Sequence, residues 1–77
     1  MIIETSRGYV KLAVGERRIQ VYGEAYYPKD KPWYFLASGK SIRQWENGVP
    51  VAADEINLIK QTLEKDFQDK GWHLEWG

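Results

Sequence analysis

The apolar residues change period along this chain, and that change limits what it can fold into. Ile56, Ile59, Leu63 and Phe67 recur at spacings of three and four. Such spacing lines them up as one stripe on a helix from about Ala53 to Asp69. Gly71, directly after Lys70, is a stop signal for that helix. The start is weaker. Ala52 and Glu55 have the spacing of a capping box, but alanine has no hydroxyl oxygen to accept the backbone N–H of Glu55. Asp54 either takes over as cap or favours the first turn through the helix dipole.

On both sides of the helix the pattern has period two. Ile2 to Thr5 and Tyr9 to Val14 read as strands joined by a tight Ser6-Arg7-Gly8 turn. Gly15-Glu16 ends the second strand. Arg18 to Tyr27 follows, with Ile19, Val21, Gly23 and Ala25 on one face, and Gly23 points to a bulge or a bend. Pro28-Lys29-Asp30-Lys31-Pro32 is a loop, because prolines and charges do not sit in a central strand. Trp33 to Ala37 is a short apolar run and reads as a buried strand. Ser41 to Trp45 reads as a further strand, ended by the turn Glu46-Asn47-Gly48. Trp72 to Trp76 alternates as a closing strand, with Trp72, Leu74 and Trp76 on one face and His73 and Glu75 on the other.

The expected fold is α+β. Residues 1–77 form a single small domain, a mostly antiparallel sheet of about five to six strands with one amphipathic helix packed across it near the C-terminus. A domain this short has a thin core, and its four Trp, five Tyr and two Phe are many for the length.

Several function classes drop out. With no cysteine there is no disulfide, no thiolate zinc site and no cysteine nucleophile. His73 is the one histidine, so no metal or cofactor site is expected. Ser38-Gly39-Lys40-Ser41 looks like the end of a phosphate loop, but the position that needs the first glycine holds Tyr34. The carboxylates Glu4, Glu16, Glu24, Asp30 and Glu46 are scattered, and so small a domain has little room for a catalytic cleft. The chain is therefore expected not to be an enzyme. The longest apolar run, Trp33 to Ala37, is too short to cross a bilayer, and no export signal is seen, so the cytoplasm is the expected compartment.

The formal net charge is zero, from 11 basic and 11 acidic residues, which speaks against a nucleic-acid coat protein. The balance is uneven, however. Residues 1–40 carry seven Lys/Arg and four Asp/Glu, and residues 41–77 carry four and seven. Aromatics around Lys29 and Lys31 leave a single-stranded nucleic-acid-binding module as the second functional reading.

Ile42-x-x-Trp45, then Pro50, then Glu55 and Ile59 on a helix, then a glycine and a closing strand resemble the immunity protein 74 family. Gly23-Glu24 in the earlier strand is similar to that family too. The likeness spans about residues 18–76 and departs from the family at Ala52, where a Ser or Thr cap is expected. It implies a small α+β immunity protein of bacterial polymorphic toxin and contact-dependent growth inhibition systems. Such a protein binds a cognate toxin without catalysis, and the toxin expected here is a nuclease. Nucleases present basic surfaces, so acidic and aromatic side chains are the natural contacts. They are Glu24, Tyr27, Asp30 and Glu46 near the strand loops, with Glu64 and Asp66 on the helix as second choices. When free, the protein is expected as a monomer or small homo-oligomer.

Overall fold

Five strands and one helix follow in the order that the period change dictates. The computed structural model describes all 77 residues. Strands β1 (Ile2–Thr5), β2 (Tyr9–Val14), β3 (Arg17–Tyr26), β4 (Tyr34–Ala37) and β5 (His73–Trp76) form one sheet in sequence order. The first four run antiparallel as a meander. Helix α1 (Ala53–Lys70) carries the chain back across the sheet, so β5 lies parallel to β4.

The helix covers one face of the sheet. Ile59, Leu63 and Phe67 are buried against Val10, Leu12, Ile19, Val21, Phe35 and Ala37. Each such side chain contributes roughly 1.5–3 kcal/mol as an upper bound. Ile56, the first residue of the expected stripe, is only half-buried. The helix end follows its sequence signal closely. Gly71 adopts φ 73°, its N–H donates to the Gln68 carbonyl, and the Trp72 N–H donates to that of Phe67. The Trp72 and Phe67 rings then meet edge to face at 5.5 Å, the apolar contact that accompanies this closure.

Two details differ from the sequence reading. Gly23 makes no bulge, and the pairing with β4 runs through it without a register shift. Residues 17–22 of β3 pair with β2 and residues 23–26 with β4, so Gly23 sits at the changeover. A Cβ there would lie 2.2 Å from the Leu36 carbonyl oxygen. The glycine is needed for that close approach.

The strand expected over Ser41–Trp45 is not one. Gly39–Ser41 is a 3₁₀ turn, and Gln44 makes an isolated bridge to Pro50. Ile42 and Trp45 are both buried, at 4% and 1% exposure. Residues three apart point to opposite faces of a strand, so only an irregular path buries both. This loop also covers the free edge of β3. The Ser38 N–H donates to Tyr22 O at 2.8 Å, the Tyr22 N–H to Ser41 Oγ at 3.0 Å, and the Glu46 N–H to Arg18 O at 2.8 Å. Unpaired backbone groups along β3 are thereby satisfied.

Candidate functional site

Strand register decides which side chains face away from the helix. Residues directly opposite in a sheet share a face. Tyr9 pairs with Tyr22 and Lys11 with Gln20. Glu24 pairs with Leu36, which pairs with Glu75, while Tyr26 pairs with Tyr34, which pairs with His73. No element covers this face, and it carries four of the five tyrosines.

Three of those tyrosines donate to carboxylates on the same face. The Tyr9 hydroxyl donates to Glu4, the Tyr26 hydroxyl to Glu24 at 2.6 Å, and the Tyr34 hydroxyl to Glu75. Each carboxylate's hydrogen bond pushes the phenol it binds above its ordinary pKa of 10.0. The rings also touch. Tyr26 and Tyr34 lie 5.5 Å apart, and His73 stacks on Tyr34 at 5.0 Å and 13°. The face is thus a surface of phenol rings, a residue type enriched where proteins bind one another, with carboxylates that the phenol hydrogen bonds hold in place.

The residues behind the family likeness lie elsewhere. The Glu55 carboxylate accepts the Ala52 N–H at 2.9 Å, which supplies half of a capping box. Its other oxygen pairs with Arg17 at 2.5 Å, and the Arg17 guanidinium lies 4.0 Å from the centre of the Trp45 ring. The Ala52 N–H first, and Arg17 with it, hold the Glu55 carboxyl below its ordinary 4.5. Glu55 therefore ties the helix start, the start of β3 and the buried Trp45 loop into one node. Ile42 and Ile59 are core beside it. Asp54 stands in the first turn and is not the cap.

The six partner-binding candidates named from sequence do not form one patch. Glu24 is exposed on the open face. Tyr27, 64% exposed, stacks on Trp33, and Asp30 takes a left-handed φ of 66° in the Pro28–Lys31 turn. Glu46 is exposed in the Trp45 loop beside Arg18, at the other end of β3 from Glu24 and roughly 20 Å away. Glu64 is exposed on α1, which lies across the sheet from Glu24. Asp66 is half-buried and already engaged, since its Oδ2 accepts the Ile2 N–H at 2.7 Å and lies 3.6 Å from the Met1 amine.

Sequence reasoning missed Tyr9, Tyr22, Tyr26, Tyr34, His73 and Glu75 as members of one surface. The signal was available in part, because Tyr22, Glu24 and Tyr26 alternate with the apolar positions of β3.

The family model for Immunity protein 74 matches residues 2–76. No curated protein and no solved structure matches the chain.

Proposed function

We propose a function from one premise: the chain belongs to the Immunity protein 74 family. It is the cognate partner of a toxin domain, binds that domain in the producing cell and holds it inactive, with no chemistry of its own. The toxin docks on the open face of the sheet. The observation that carries this reading is the set of three carboxylates, Glu4, Glu24 and Glu75, each held by a tyrosine hydroxyl on an uncovered surface. Carboxylates fixed in this way can stand in for phosphates before a basic, nucleic-acid-cleaving surface, which favours a nuclease as the toxin.

The same carboxylates weigh against the second reading. A nucleic-acid strand laid on these tyrosines would bring phosphates beside three negative charges.

A growth test checks the proposal. The C-terminal domain encoded by the gene immediately upstream is induced as the candidate toxin, with and without this protein in the same cells. Arrest that the protein relieves is the expected result. Failure of rescue with both proteins soluble would sink the proposal. A gel shift with oligonucleotide, repeated at rising salt, then becomes the next measurement.

A further inference from the structure

Two adjacent cross-strand rows on the open face form a small grid. One row is Glu24, Leu36 and Glu75, and the next is Tyr26, Tyr34 and His73. Glu24 and Glu75 stand two strand spacings apart, roughly 10 Å, with only the Leu36 side chain between them in the row. Each carboxylate receives a phenol hydrogen bond on one oxygen, Oε2. Neither has a cation. The two ion pairs of the molecule are Arg17 with Glu55 and the Met1 amine with Asp66. Lys31 stands in the loop beyond the Tyr26–Tyr34 row, lining the cleft there, and pairs with neither carboxylate.

We propose that this grid is the seat of an arginine side chain presented by the toxin. The inference rests on the reading of the open face given above and narrows it to one anchor. The aliphatic stem of an arginine would lie on Leu36. Its guanidinium would reach the free oxygen of Glu24 or of Glu75 while its plane meets the neighbouring aromatic row. A guanidinium suits this seat better than an ammonium, because it stacks on rings and forks to a carboxylate at the same time. The phenols already orient the carboxylates, so less side-chain freedom is lost on binding. Tyrosine and arginine, the two sides of this contact, are also residue types in which binding energy concentrates.

The test uses the intact protein, labelled with ¹⁵N, and N-acetyl-arginine methylamide as probe. Saturable shifts are expected at the amides of Glu24, Leu36 and Glu75. The lysine analogue should bind at least about threefold more weakly, since it lacks the planar fork. The variant Glu24→Gln/Glu75→Gln should lose the saturable response. It keeps acceptors for both phenols, and a dispersed spectrum shows that it is folded. No shifts at the grid, shifts undiminished in the variant, or a response to an oligo-dT strand in place of arginine would each overturn the proposal.

A second arm uses the toxin domain encoded beside the gene. The double variant should bind it at least about tenfold more weakly, whereas Lys65→Ala on the exposed side of α1 should bind unchanged. If wild-type protein does not bind that domain, the immunity reading fails, and the arginine titration still decides the seat. If the domain binds the double variant as tightly as wild type, the seat is wrong and the immunity reading survives.

Discussion

On the covered face of the sheet, Trp45, Phe35 and Phe67 are at most 1% exposed, whereas on the open face Tyr22 and Tyr26 keep 52% and 45% of their surface in water. The division follows side-chain chemistry. A phenol can reach a neighbouring carboxylate and remain at a wet surface, while a phenyl ring has no polar atom to keep in water. Trp45, Trp72 and Trp76 each carry a basic side chain over the ring, Arg17, Lys70 and Lys60 respectively, which screens the thin core from solvent. The residues on which the resemblance to the immunity protein family rests, Ile42, Trp45, Glu55 and Ile59, belong to the covered side. That side specifies the fold, and the surface proposed for recognition lies on the other.

The comparison breaks most sharply at Trp45. Trp45→Ala should cost about 3–5 kcal/mol, a large share of the stability of so small a domain. Urea unfolding followed by circular dichroism would show a collapsed midpoint, and any binding should be lost with the fold. Gly23→Ala comes next, at about 1–3 kcal/mol, because its methyl group must displace the Leu36 backbone where β3 changes partners. The same urea curve reads it. A mutant as stable as wild type would show that β3 and β4 can separate there without cost.

Glu55→Gln tests the node that joins the helix to the sheet. The folded protein holds this carboxyl below its ordinary 4.5, so its contribution to stability is present above that pH and is lost as pH falls through the folded value. The variant should therefore melt below wild type at pH 7, and the two melting curves should converge in acid. A gap that persists at low pH would show that the ionised carboxylate is not the source of the stability. On the open side, Tyr34→Phe should leave the melting temperature unchanged and weaken toxin binding measured by calorimetry. The smallest effect is spectroscopic. Absorbance titration should place the Tyr9, Tyr26 and Tyr34 phenols above 10.0, with the shift at Tyr34 reduced by Glu75→Gln, which removes the carboxylate charge.

The sequence exposed the covered side better than the open one. The period change located α1, and Gly71 marked its end, because burial and backbone geometry leave local patterns. The stretch Ser41–Trp45 reads as a strand because a short β-prone run lies there between two turn signals, but Ile42 and Trp45 stand three apart with two polar residues between them, and only the irregular path after the 3₁₀ turn buries both. The open face was harder still. Its rows are built from β3, β4 and β5, and β5 follows β4 only after the whole helix, so no local pattern records that Glu75 lies beside Tyr34. Asp66 shows the reverse error. It reads as a solvent-facing acid on α1, but its partner is the backbone of Ile2, 64 residues away.

The central claim is that the fold resides on one side of the sheet and recognition on the other. Hydroxyl-radical footprinting of the protein with and without the candidate toxin domain that it counteracts in the growth test addresses this most directly. The account predicts protection of Tyr22, Tyr26 and Tyr34, with exposed Leu58 on α1 as reactive as before. Protection of Leu58 with the three tyrosines unchanged would contradict it and move the binding surface to the helix.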